Sequence, residues 1–73
     1  MNYKDYIETI PDFPIEGILF RDITPLLANG EVCYSAVKEI AEFAKSVGAE
    51  AVYGPESRGF MIGCPVATEL KIG

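Results

Sequence analysis

The sequence predicts an α/β protein, part of a parallel sheet with helices packed on it. Three observations carry that expectation. Residues 31–47 show an amphipathic helical period, residues 49–54 form a short apolar run directly behind it, and a second helical pattern starts after Ser57-Arg58-Gly59. Helix, strand, loop and helix make half of an α/β unit. Such sheets bind ligands in the crevice outside the carboxyl ends of their strands, and residues 54–59 occupy that place.

Each element is justified by its own pattern. Residues 3–10 place Tyr3, Tyr6, Ile7 and Ile10 at helical spacing, with Pro11 as a stop, and predict a short N-terminal helix. Pro11-Asp12-Phe13-Pro14-Ile15-Glu16-Gly17 holds two more breakers after Pro11, too many for a regular element, and predicts a turn-rich loop. Ile18-Leu19-Phe20 is a brief extended run, closed by Arg21-Asp22 and Thr24-Pro25. Over 31–47, Cys33, Val37, Ile40, Ala44 and Val47 recur every three or four residues, and Ala36 and Phe43 widen that face. Asn29 or Gly30 can start this helix and Gly48 can end it in a left-handed turn, while Lys38 and Glu42 lie at i,i+4 on the wet side. The run at 49–54 fits a buried strand of a parallel sheet. In the last helix Phe60, Val66, Ala67 and Leu70 are apolar, and Pro65 predicts a kink or a new turn because it lacks a donor and crowds the preceding turn.

Size and charge narrow the function classes. The 73 residues, 49% of them hydrophobic, amount to one domain or a piece of one. A chain of about 60 residues buries only about 60% of its unfolded surface, and no closely spaced Cys/His set offers a structural metal as a staple. The chain either packs unusually well or packs against something else. Six basic against eleven acidic side chains give a net charge of −5, which argues against a general nucleic-acid binder. A local anion site is compatible with that charge, since a helix N-terminus and one arginine can hold a phosphate. The start lacks the apolar run of a signal peptide, and the longest apolar stretch, 60–67, is interrupted by Gly63 and Pro65, so neither secretion nor a membrane span is expected. Two isolated cysteines fit a reducing cytoplasm.

Glu56-Ser57-Arg58-Gly59 concentrates the chemistry. It joins a strand's carboxyl end to a helix start and supplies a hydroxyl, a guanidinium and a glycine, a set suited to phosphate or pyrophosphate. A solvated arginine beside a capping serine is the plainer reading. The lysine and glycine spacing of a P-loop are absent. The aromatics Phe13 and Phe20 could stack on a flat ring, although loop aromatics more often anchor a minor core. Arg21 beside Asp22 reads by default as a surface pair worth about 0–1 kcal/mol. Cys33 and Cys64 read as inert core thiols, since no histidine is present to activate either.

Taken together, Ile10-Pro11-Asp12-Phe13-Pro14, Gly17-Ile18-Leu19-Phe20-Arg21-Asp22-Ile23-Thr24-Pro25-Leu26-Leu27 and Glu56-Ser57-Arg58-Gly59-Phe60 resemble the adenine phosphoribosyltransferase family in order and spacing. The one departure, proline-isoleucine-glutamate before Gly17, touches a turn and no proposed ligand contact. The resemblance implies the N-terminal part of a type I phosphoribosyltransferase, a Rossmann-like parallel sheet with a small N-terminal hood. Residues 1–30 are expected to be the hood with the adenine-site loop, and residues 31–73 the first α-β-α part of the core. The implied reaction is attack of adenine on phosphoribosyl pyrophosphate, giving AMP and pyrophosphate in purine salvage, with Mg2+ carried mainly by the phosphoribosyl pyrophosphate. Phe20 would stack on adenine while the main chain at Leu19 and Arg21 reads its edge. Glu56, Ser57, Arg58 and Gly59 would grip the pyrophosphate, and the Glu56–Ser57 peptide would be cis.

The family also carries a basic Arg-Lys segment, a mobile loop with a catalytic glutamate and an acidic ribose-phosphate signature, none of which occurs here. The chain is therefore expected to be an N-terminal fragment that holds no catalytic residue and no metal ligand and is inactive alone, from a cytoplasmic homodimer. Two other readings stand beside it: a non-catalytic purine- or phosphate-binding module retaining the hood, and a small structural domain.

Overall fold

This computed structural model describes residues 2–73. Met1, inside the expected hood segment, lies outside the described residues. A 3-10 helix, Tyr3–Tyr6, is followed by strands β1 (Glu8–Pro11) and β2 (Leu19–Asp22) and helices α1 (Thr24–Ala28), α2 (Gly30–Ser46) and α3 (Arg58–Leu70). The chain forms two compact units, the first ending at Tyr34 and the second being Ser35–Gly73.

In the first unit the expected helix over 3–10 is instead one helical turn and a strand. Asn2 caps the turn, its Oδ1 accepting from the Lys4 N–H at 3.1 Å. Tyr3, Tyr6 and Ile7 satisfy a helical period for that single turn, but Ile10 lies opposite Phe20. The strands are antiparallel, with Glu8 facing Asp22, Thr9 facing Arg21, Ile10 facing Phe20 and Pro11 facing Leu19. Ile10 and Phe20 are half-buried while Thr9 and Leu19 are exposed, the alternation of a half-buried strand. A pairing that distant in sequence overrides a short local period.

The helix α1 corrects a second expectation, that Thr24-Pro25 only closes the extended run. Proline near the first helical position has no needed donor to lose. The Asp22 carboxylate accepts from the Thr24 N–H at 3.0 Å and from the Thr24 hydroxyl at 2.9 Å. Leu26 is buried, and α1 packs on the 3-10 helix.

α2 forms over the expected residues. Asn29 Oδ1 accepts from the Val32 N–H at 3.2 Å at its start, and Gly48 ends it at φ +72°. The buried stripe is rotated from the expected one. Val32, Val37 and Ala41 are buried, whereas Ile40, Phe43 and Val47 are exposed, because the apolar set is wider than one helix face can cover. Lys38 and Glu42 are on the exposed side, and Lys38 reaches Glu69 of α3 at 4.0 Å.

In the second unit, residues 49–54, expected as a buried strand, form no strand. Val52 and Gly54 are half-buried while Ala51 and Tyr53 are exposed, Tyr53 at 93%, so a period of two holds over 51–54. The Val52 N–H donates to the Gly73 carbonyl at 2.8 Å. α3 runs through Pro65 as one helix, so no new turn begins there. It ends at Lys71 in the left-handed region, φ 58°, where the Ile72 N–H closes onto Ala67 at 3.0 Å. Val66 is buried on α3, while Cys64 is exposed and not a core thiol. Cys33 is half-buried.

Candidate functional site

The structure gathers Leu19, Phe20 and Arg21 on β2, in the first unit. The seven residues that lead into β2 from β1 are closed by three hydrogen bonds. Asp12, at φ 56°, accepts from the Gly17 N–H through Oδ1 at 2.9 Å. The Phe13 N–H donates to the Ile18 carbonyl at 3.1 Å and the Ile18 N–H to the Ile15 carbonyl at 3.3 Å. Gly17 sits at φ +89°, a conformation side chains rarely adopt. The Phe13–Pro14 peptide is cis. The rings of Phe13 and Phe20 meet edge-on, with centroids 5.2 Å apart and planes inclined by 67°.

Arg21 departs from its default reading. Its guanidinium donates to the hydroxyl of Thr9, the residue facing it on β1, while Asp22 turns to Thr24. Arg21 and Thr9 also line a cavity of about 460 Å³ with Lys4, Ile7 and Ile23. Successive strand residues point to opposite faces, so the guanidinium lies away from the face that carries Phe20.

In the second unit, Glu56, Ser57, Arg58 and Gly59 form the turn into α3. The Glu56–Ser57 peptide is cis, as the resemblance implies. Ser57 holds the N-cap position without a side-chain capping bond, so its hydroxyl is not a helix cap. Its carbonyl accepts from the Phe60 N–H at 3.2 Å. A helix start presents N–H groups that have no acceptor within the helix, together with the positive end of its dipole. Ser57 and Arg58 are both exposed at this end.

Backbone contact closes that turn. A Cβ at Gly54 would lie 2.5 Å from the Gly59 carbonyl oxygen, and one at Gly59 would lie 2.7 Å from Pro55 Cδ and 3.0 Å from the Gly54 carbonyl carbon. The two glycines let the end of the extended segment touch the first turn of α3. Sequence reasoning included Gly59 but missed Gly54, whose signal was the pair of glycines bracketing Pro55-Glu56-Ser57-Arg58. Thr9 was missed as a support because it meets Arg21 only through the strand pairing, and Phe13, read as a stacking or minor-core aromatic, was not read as a partner of Phe20. A cleft of about 510 Å³ adjoins the turn, lined by Gly54, Gly59, Phe60, Gly63 and Cys64 among others.

No family model matches the chain. Its similarity to individual proteins is extensive and points first to a class, the phosphoribosyltransferases. Within that class the similarity is to adenine phosphoribosyltransferases. The chain is 56% identical over all 73 residues to the adenine phosphoribosyltransferase of Lactobacillus gasseri and 53% identical to that of Lactobacillus johnsonii. It spans 42% of the length of each. Among solved structures, the Giardia lamblia enzyme complexed with 9-deazaadenine matches 100% of the chain at 39% identity and a TM-score of 0.88, over 42% of its own length. The Rhodothermus marinus enzyme matches 97% of the chain at 41% identity and a TM-score of 0.85, over 40% of its own length. The resemblance read from three short strings thus holds along the whole chain, and the fold is that of the corresponding part of a type I phosphoribosyltransferase.

Proposed function

We propose that this chain supplies the adenine pocket and one part of the pyrophosphate grip of an adenine phosphoribosyltransferase. The observation that carries the reading is 56% identity over every residue to a protein of that name. In the reaction, a ring nitrogen of adenine forms a bond to the anomeric carbon of phosphoribosyl pyrophosphate. The bond from that carbon to pyrophosphate breaks, its electron pair leaves with the pyrophosphate, and adenine gives up a proton.

Leu19 and Arg21 share one parity on β2, so their main-chain N–H and C=O groups point to the same strand edge. That suits two contacts to the edge of one planar base, with Phe20 between them offering its ring for stacking. In the second unit, Ser57, Arg58 and the backbone at Gly59 would hold the pyrophosphate, with Glu56 completing the turn. An oxocarbenium-like transition state puts the demand on the departing negative charge, which is what a guanidinium at a helix N-terminus stabilises.

Mg2+ would accompany phosphoribosyl pyrophosphate. Among the described residues, no group of three or more Asp, Glu, Cys or His side chains could hold a metal ion. No helix among the described residues is long and apolar enough to cross a membrane, and a cytoplasmic setting fits the two unpaired cysteines. A homodimer is part of the same reading, and exposed Phe43, Val47, Tyr53 and Phe60 are compatible with further packing partners. Relatives named adenine phosphoribosyltransferase favour this reading over a non-catalytic binding module.

The test is Arg58→Ala in the protein expressed at the full length of its reading frame. A charge-assisted hydrogen bond is worth about 1.5–3 kcal/mol, so KM for phosphoribosyl pyrophosphate should rise about 10- to 100-fold. KM for adenine should move less than threefold. Equal losses for both substrates would mean a folding defect and would remove Arg58 from the site. The 73-residue chain on its own should form no AMP, and AMP confirmed by mass would overturn that division of labour.

A further inference from the structure

We infer that Phe13 is a positioning residue for adenine, acting through Phe20 by restraining the orientation of its ring. The inference rests on the reading of Phe20 as the adenine-stacking side chain. A phenylalanine on a short two-stranded hairpin can turn about two side-chain bonds, and stacking on a base needs one orientation among those available. Phe13 selects it. Its ring meets that of Phe20 at 5.2 Å between centroids and 67° between planes, the inclined geometry that aromatic quadrupoles favour.

Phe13 can do this because it is itself held. Its own N–H donates to the Ile18 carbonyl at 3.1 Å, one residue before β2 begins. On either side, the Asp12 carboxylate accepts from the Gly17 N–H at 2.9 Å, closing the loop over the Phe13 backbone. On the strand itself, Phe20 pairs with Ile10 of β1 and both are half-buried, so Ile10 is its cross-strand neighbour. The loop between β1 and β2 therefore acts as a brace for Phe20. Phe13 is 49% exposed, which is not the burial of a core anchor.

The two roles separate kinetically. In the full-length protein, Phe13→Leu and Phe13→Met keep apolar bulk but lose the inclined ring contact. Either should raise KM for adenine about 3- to 10-fold, the range expected from one aromatic pair. KM for phosphoribosyl pyrophosphate and kcat should move less than twofold, and Phe13→Tyr, which keeps the ring, should restore adenine binding. Phe20→Ala serves as the reference. If it weakens adenine while both Phe13 variants leave adenine binding at its original strength, Phe13 has no positioning role. If both substrates weaken together with a fall in Tm, Phe13 is a structural residue only, and the inference is equally overturned. Should Phe20→Ala leave adenine KM unchanged, the stacking reading fails first and the role of Phe13 fails with it.

Discussion

The two loops proposed to meet the base and the pyrophosphate are held by opposite means. Residues 12–18, ahead of β2, are held by what their side chains add: the Asp12 carboxylate on the Gly17 N–H and the Phe13 ring on Phe20. Residues 54–59, which lead into the first turn of α3, are held by what is missing, since Gly54 and Gly59 approach so closely that neither position has room for a Cβ. Gly17 requires its left-handed φ of +89° but has nothing within 4 Å of a Cβ, whereas Gly54 requires space. A planar base and a polyanion ask for different supports. A stacked ring has to be aimed by other side chains, while a pyrophosphate is gripped by backbone N–H groups that must be brought close together.

The largest effect should come from adding one carbon at Gly54. Its new Cβ would meet backbone carbonyl atoms, which cannot rotate away as a side chain can. Gly54→Ala should destabilise the full-length protein by about 1–3 kcal/mol, the usual cost of overpacking. It should also raise KM for phosphoribosyl pyrophosphate more than tenfold by pushing the turn away from α3. Thermal unfolding and steady-state kinetics read the two effects. An unchanged KM would show that the closeness of Gly54 and Gly59 does not serve the grip, and the contrast between the loops would collapse.

The hairpin loop should be breakable by a polar change instead. Asp12→Ala removes the acceptor for Gly17 and puts a residue that tolerates φ 56° less well in its place. A loss of about 1 kcal/mol, with a two- to fivefold rise in adenine KM, follows from one exposed hydrogen bond. Asp12→Asn retains both an acceptor and the tolerance of that φ, and should lie close to the parent. If Asp12→Asn is as damaging as Asp12→Ala, charge rather than loop closure is the contribution of Asp12.

These supports explain what the sequence made legible. The helix over Gly30–Ser46 could be read because its period, its Asn29 cap and its Gly48 stop are all local. Tyr3, Tyr6, Ile7 and Ile10 misled because a four-residue helical turn followed by a strand mimics a longer helix when the strand's partner, Leu19–Asp22, lies beyond an intervening loop. Thr24-Pro25 misled in the other direction, since proline both ends extended runs and begins helices. Residues 51–54 keep strand-like alternation without a ladder, and the Val52 N–H bonds to Gly73, far along the chain, where no local pattern points. The proposed site residues Phe20, Ser57 and Arg58 stand out in the sequence as residue types in suggestive places. Their supports do not, because Gly54 against Gly59 and Phe13 against Phe20 are facts about distance.

Helix ends extend the contrast between conformation and space. α2 ends in Gly48 at φ +72°, α3 in Lys71 at φ 58°. A left-handed residue with a side chain costs about 1–2 kcal/mol, and glycine gives part of that back through its greater freedom when unfolded. Lys71→Gly should therefore raise stability by about 0.5–1 kcal/mol in denaturant titration, with both KM values unaltered. A loss of stability would mean that the lysine side chain contributes more than its backbone conformation costs.

The smallest expected effect sharpens the comparison most. Gly63 lies one turn after Gly59 on α3 and faces the same segment, so a helix face requiring glycine throughout would need it too. The distances say otherwise: a Cβ at Gly63 would lie 3.5 Å from Gly54 Cα and 3.6 Å from Val52 Cγ1, ordinary van der Waals contact. Alanine is favoured over glycine inside a helix by about 1 kcal/mol. Gly63→Ala should leave stability unchanged or raise it by up to about 1 kcal/mol, with KM for phosphoribosyl pyrophosphate within twofold of the parent. If Gly63→Ala instead matches Gly54→Ala in both losses, the need for glycine belongs to the packing of the whole helix. If it is neutral while Gly54→Ala and Gly59→Ala are not, the need is confined to the turn that would hold the pyrophosphate.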